Sequence, residues 1–201
     1  MKSLTVPFDE KDEAKTLGAK WDAAARQWFV PDGLDESLFA RWFPADLVLA
    51  SGGEGTMRAR RFALLTGTVV CWKCRKETRV STLLLRGYTE EDEDGIEQPE
   101  RQDTVLSAIL ALDPATRKVF ADAAPWMRPG HSKAREQIYL AAHCEHCEAL
   151  QGAWFLSEPG SAFFPQSPQE AARLTVQWFH QPVIAEASPS WSSWTDWVEG
   201  P

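Results

Sequence analysis

Apolar and polar positions change rhythm several times along the chain. Residues 4–8 alternate as a short strand. Asp9 stands where it can cap a helix over 10–17, with Glu10, Asp12 and Glu13 at its positive start and Gly18 as its left-handed stop. Residues 19–22 and 27–30 then alternate as a hairpin turning at 23–26. Asp35 opens a second short helix that points Leu38, Phe39 and Trp42 inward and ends at Pro44.

Ser51-Gly52-Gly53-Glu54-Gly55 reads as a linker. Beyond it, 62–70 and 78–88 read as strands, and 89–101 as an acidic, mobile loop. Asp103 can cap a helix over 104–112, and Asp113-Pro114 opens another to about 123. Residues 138–142 and 153–157 read as strands. Ser167-Pro168-Gln169-Glu170 is a capping box expected to open a helix to about 180. The last stretch carries Trp191, Trp194 and Trp197 at three-residue spacing.

Composition narrows the class. Hydrophobic residues make up 44% of the 201, enough for a real core. Ten tryptophans against two tyrosines is an unusual excess that either packing or binding can use. Net charge is -8 and uneven. Residues 58–79 carry Arg58, Arg60, Arg61, Lys73, Arg75, Lys76 and Arg79 against the single acid Glu77, whereas 90–103 hold eight acids and only one base, Arg101. Generic coating of nucleic acid is therefore not expected. No secretory leader or membrane span is expected either, which places the chain in a reducing cytoplasm.

In that compartment paired cysteines more often hold metal than form disulfides. Cys71-Trp72-Lys73-Cys74 and Cys144-Glu145-His146-Cys147 use every cysteine in the chain. Each C-x-x-C puts two thiolates on one tight turn, and two such turns close a tetrahedral sulfur site, the usual form of structural zinc. One zinc per chain is expected, on Cys71, Cys74, Cys144 and Cys147. The pairs lie much further apart than the ~15–20 residues of a compact ribbon, so an insertion is expected between them. A redox C-x-x-C would open a helix in a βαβ context, and neither pair does. His143 and His146 flank Cys144 and are read as outer or surface groups. Four thiolates leave no open position for an activated water, and no catalytic motif is present.

Residues 4–44 resemble the DUF5710 domain. The matching residues are Val6-Pro7-Phe8, Glu10-Lys11-Asp12-Glu13-Ala14-Lys15, Leu17-Gly18-Ala19-Lys20-Trp21-Asp22, Gln27-Trp28-Phe29-Val30-Pro31 and the stretch 39–44. Domains like it stand at the front of DNA primases of conjugative plasmids and in stand-alone bacterial proteins. No primase catalytic domain follows, so DNA synthesis is not implied. The rest is similar to a cysteine-rich segment found beside that domain in bacterial proteins, through the two cysteine pairs and Phe163-Phe164-Pro165. That likeness implies zinc binding.

The expected fold class is α+β. A small strand-helix-hairpin-helix domain (1–47) and a glycine-rich linker (48–57) precede a four-cysteine zinc-ribbon β domain (58–182). That domain carries a helical insertion at 89–130, and a tryptophan-rich tail (183–201) follows. Trp21 and Trp28 can stack bases, but a unit this small needs them as core. Lys20, Arg26 and Arg41 then serve as contacts or merely as solubilising charges. Asp92-Glu93-Asp94 reads as solvated loop rather than a nucleotidyl-transfer site.

Two alternatives stay open. The island of Arg58, Arg60, Arg61, Trp72, Lys73, Arg75 and Lys76 either contacts nucleic acid or pairs with the acidic stretch. Trp191, Trp194 and Trp197 either staple the tail or dock a partner. The function expected is a non-enzymatic, zinc-stabilised interaction module linked to mobile-element DNA processing; the alternative is a dedicated protein-binding partner such as an inhibitor or immunity protein. A protein partner is expected, with weak nucleic-acid binding and no membrane contact. The oligomeric state is left open.

Overall fold

Strand pairing dominates the chain. It is described here from a computed structural model covering residues 2–6, 8–34, 38, 39, 42, 56–92, 94, 96–100, 102–133 and 136–200. In the first unit β1 (Lys2–Leu4), β2 (Lys20–Asp22) and β3 (Gln27–Val30) form an antiparallel sheet in the order β1-β3-β2. A 3-10 turn at Phe8–Glu10 leads into α1 (Lys11–Thr16), which buries Ala14. Phe8, expected on a strand, lies in that turn and is exposed.

Gly18 ends the helix at φ +104°, a backbone conformation that a residue with a Cβ adopts only with strain, which favours glycine there. Leu4, Ala14, Ala19, Trp28, Val30, Phe39 and Trp42 form one core, against which Ile138 also packs. Leu38, expected inward, is half exposed. The expected Asp9 cap is corrected, since Asp9 lies in the 3-10 turn and α1 is preceded by Glu10, which makes no side-chain capping bond. Arg41, most of the stretch from Asp35 to Pro44, and the linker as far as residue 55 lie outside the described residues.

The remainder is a mixed α and β unit, mostly one curled sheet. Its path runs β13-β5-β6-β9-β14-β4-β7-β8, with β10, β11 and β12 branching from β9. The strands are β4 (Thr56–Ala59), β5 (Phe62–Val70), β6 (Glu77–Leu85), β7 (Tyr88–Glu91), β8 (Glu97–Pro99) and β9 (Thr104–Leu112). They continue as β10 (Met127–Ser132), β11 (Gln137–His143), β12 (Leu150–Gln151), β13 (Thr175–Phe179) and β14 (Val183–Trp191). Helices α2 (Pro114–Ala123), α3 (Ala153–Leu156) and α4 (Pro168–Ala171) are short. Phe62, Leu65, Leu83, Leu84 and Leu85 are fully buried, each such side chain contributing ~1.5–3 kcal/mol.

Several expectations are corrected. Thr104–Leu112 is strand β9, not a helix. It is buried on both faces, and such a run shows no strand period to read. Thr175–Phe179 is strand β13 against β5, because the Ser167 capping box opens only the single turn of α4 before β-branched and aromatic residues resume. Residues 153–157, expected as a strand, begin with the helical turn α3. The acidic stretch is not a loop throughout, since β7 and β8 pair within it. The stretch 89–130, expected as a helical insertion, contributes β7, β8, β9 and part of β10 to the sheet and holds one helix among its described residues. Val183–Trp191, placed in the tail, is β14, seated between β9 and β4.

β9 is irregular where it matters. Ser107 faces Ser188 and Ala111 faces Glu186, so Ala108, Ile109 and Leu110 stand opposite Ala187 alone. Ala108 takes φ +47° in this bulge, and Ile109 then pairs with Leu140 of β11. One strand thereby serves both β14 and the β10-β11-β12 branch.

Asp113 joins α2 to the sheet. Its carboxylate accepts from the N–H groups of Ala115, Thr116 and Ile184 and from the Thr116 hydroxyl. Burial pushes this carboxyl up, but those bonds outweigh it and hold the group below its usual 3.8. Asp113→Ala is expected to cost about 1–2 kcal/mol in denaturant melts. The folded value is depressed, so the difference from wild type should be complete above about pH 4. It should shrink as pH falls through the folded value. A fragment of residues 1–47 is expected to fold alone, since its core closes on itself apart from Ile138. A dispersed amide spectrum would show this, and a collapsed one would show that the sheet domain is required.

Candidate metal centre

The two C-x-x-C turns sit at hairpin tips. Knuckle 1 follows the last β5–β6 pair, Val70 with Glu77, and knuckle 2 follows the β11–β12 pair His143 with Leu150. The turns repeat each other's backbone bonds. Cys71 N–H donates to Lys76 O (2.9 Å) and Arg75 N–H to Cys71 O (3.0 Å); Cys144 N–H donates to Ala149 O (2.9 Å) and Glu148 N–H to Cys144 O (2.9 Å). Arg75 and Glu148 occupy equivalent places at φ +63° and +61°, where glycine would sit without strain.

This folding brings all four sulfurs together. Cys71 Sγ lies 3.7 Å from Cys147 Sγ and Cys74 Sγ 3.6 Å from Cys144 Sγ, and all four fall within 4.8 Å of one another. A tetrahedron with ~2.3 Å metal–sulfur bonds has edges of about 3.8 Å, so the set fits a metal ion. A disulfide needs ~2.05 Å, and all four cysteines are free.

Electrostatics agree with a metal-binding set. Burial pushes the Cys71 thiol up, yet the N–H groups of Cys74 and Lys73 and the neighbouring sulfurs bring it down to about 6. At Cys147 the Ala149 N–H favours the thiolate, but burial and the other three sulfurs push it up to about 11. Four negative sulfurs in contact repel one another, and a dication is what lets all of them ionise.

The surroundings orient the sulfurs. Gln151 donates its amide to Cys71 Sγ (3.5 Å) and to Ala149 O (2.6 Å), and His146 N–H points at Cys144 Sγ (3.5 Å). The His146 ring turns to Glu77 O (3.0 Å) and the His143 ring to Ala141 O (3.1 Å). Burial and the Arg128 charge hold His143 below its ordinary pKa. Between the knuckles, Arg79 pairs with Glu145 at 2.5 Å while lying 3.8 Å over the Trp126 ring, and Thr78 Oγ1 accepts from Glu145 N–H. Trp72 Nε1–H donates to Leu150 O at 2.8 Å. Sequence reasoning missed Gln151, Trp126, Thr78 and the Arg79–Glu145 pair, because nothing local marks a partner so far along the chain.

The basic island is divided. Arg58 pairs with Glu91 (2.9 Å) and Glu97 (2.8 Å) of the β7–β8 hairpin. Arg60 is exposed at the β4–β5 corner, and Arg61 lies over the Trp178 ring. Trp72, Lys73, Arg75 and Lys76 lie at the far end of β5, about 27 Å away at ~3.3 Å per residue. Asp92 closes its own turn, accepting from the N–H groups of Asp94 and Ile96. At the other end of the molecule, Trp191 donates to the Tyr88 hydroxyl yet stays 49% exposed, Trp194 is buried and Trp197 is 40% exposed. Arg86 holds this segment by donating to Thr195 O and Val198 O while pairing with Asp103. In the first unit Trp21 is half exposed, edge-on to Trp28.

No helix among the described residues is long and apolar enough to cross a membrane. No solved structure matches the chain. Two Escherichia coli proteins named DNA primase TraC are similar to it, at 59% and 54% identity over 39 residues. Those residues are 19% of this chain and only 4% and 3% of the primases. Residues 1–44 match the family described as a domain of unknown function, DUF5710.

Proposed function

We propose that this chain is a non-enzymatic interaction module whose second unit is a zinc ribbon. A structural Zn2+ is held by Cys71, Cys74, Cys144 and Cys147. The observation that carries this reading is the convergence of four sulfurs at tetrahedral spacing from two hairpin tips with matching backbone bonds. Four thiolates complete the coordination sphere, so the metal would supply rigidity and no activated water. The reducing cytoplasm is the compartment that keeps such thiols available. The primase-like first 44 residues support a link to mobile-element DNA processing. A dedicated protein-binding partner, such as an inhibitor or immunity protein, is the second reading. It is favoured by the partly exposed Trp191 and Trp197.

Metal analysis of reduced, purified protein is expected to give one zinc per chain. Cys71→Ser or Cys144→Ser should lose it and melt about 10 °C or more below the wild type, because several kcal/mol of metal binding free energy leaves with the ligand. A wild type with no metal, or one whose melting temperature ignores a strong chelator, would remove the structural role.

A further inference from the structure

We infer that knuckle 1 is a binding site for single-stranded nucleic acid, in which Trp72 stacks on a base and Lys73, Arg75 and Lys76 hold the flanking phosphates. The inference rests on the interaction-module reading above and names its ligand.

Three features of the tip carry it. Trp72 is 64% exposed, yet its polar edge is satisfied and fixed by Leu150 O. What remains open is indole face, and no other ring stacks on it among the described residues. Aromatic faces anchored in this way accept any base. Next to it, Lys73, Arg75 and Lys76 are exposed, and none makes an ion pair among the described residues. Arg75 keeps its place in the turn despite its positive φ, where glycine would be easier.

Glu77, next in sequence to Lys76, is the one exposed acid of this turn, and the other acids nearby are engaged elsewhere. Glu145 pairs with Arg79 and Glu148 with Arg128 on the neighbouring knuckle. The β7–β8 acids face Arg58 at the opposite end of β5. The tip is thus locally positive on a chain of net charge -8, which confines an anionic polymer to this face. Exposed apolar side chains are also present, Val70 at the end of β5 and Trp154 and Phe155 in α3 after β12, and it is the three cations on Trp72's own turn that favour phosphate over a protein partner.

The test uses the full chain, loaded with zinc, and a fluorescein-labelled oligo-dT read by anisotropy. Binding is expected on the order of 10 µM in ~50 mM salt, falling roughly 15-fold by ~200 mM as about three phosphate contacts are screened. Trp72→Ala should weaken it about tenfold, and Trp72→Phe should restore most of that loss. The triple change Lys73→Gln, Arg75→Gln, Lys76→Gln should flatten the salt dependence to a slope near zero. Each variant is checked for one zinc per chain and an unchanged melt. A zinc-loaded wild type with no binding in ~20 mM salt overturns the inference and leaves the metal reading standing. Binding through Trp72 by a chain holding no zinc removes the metal reading and keeps the inference. Binding that survives these changes but is lost in Lys11→Gln, Lys15→Gln places the site on the first unit and overturns it. So does a protein captured from nuclease-treated lysate, lost with Trp72→Ala, if no oligonucleotide binds.

Discussion

Four sulfur atoms within contact of one another set the terms for this molecule. Thiolates at that spacing repel, and thiols at that spacing gain little, so the arrangement makes physical sense around a cation. Bringing them together requires that hairpins from distant parts of the sequence present their tips to one point. β9 supplies the means. Its bulge at Ala108 frees Ile109 from β14 and turns it toward Leu140, tying the β11–β12 hairpin to the strands that flank β5 and β6. The Arg79–Glu145 pair and the Trp72–Leu150 bond then fasten one knuckle to the other from either side. Local geometry at the cysteines and long-range geometry in the sheet are two ends of one constraint.

The same arrangement sorts charge. Clusters that look continuous along the sequence are separated by the length of a strand, and opposite charges distant in sequence become neighbours. Arg58 is neutralised beside the acidic hairpin, Arg79 bridges the knuckles, and Arg86 is fixed against carbonyls near the C-terminal 3-10 turn. Only part of the island keeps a free face. Net charge along a stretch of sequence is therefore a poor guide to surface potential here.

How much was legible follows from whether the signal is local. The cysteine turns could be read because spacing on a tight turn is a local property, and Asp113-Pro114 opens its helix for the same reason. The β2–β3 alternation is equally local. β9 was misread because a strand enclosed on both faces has no polar side to mark its period, and its small apolar residues suit a helix as well. β13 was misread because a good helix start says nothing of where the helix stops. The Arg58 pairs could be named only as an alternative, since charge pairing across strands depends on a register the sequence does not state. Spacing alone leaves Trp191, Trp194 and Trp197 open between stapling the tail and docking a partner, and the fold divides them by burial, with Trp194 enclosed and the other two partly exposed.

The place of β14 in the sheet has a kinetic meaning. It is the last strand in sequence order, yet it lies between β9 and β4, so the strands made first have no hydrogen-bonded route across the sheet until it arrives. A nascent chain would carry the open edges of β4 and β9, rich in apolar side chains, until residues 183–191 have been made. Contacts that span so much sequence slow folding and expose intermediates to aggregation. Closure of this sheet therefore waits for residues 183–191, and a break near residue 183 would split the sheet rather than trim it.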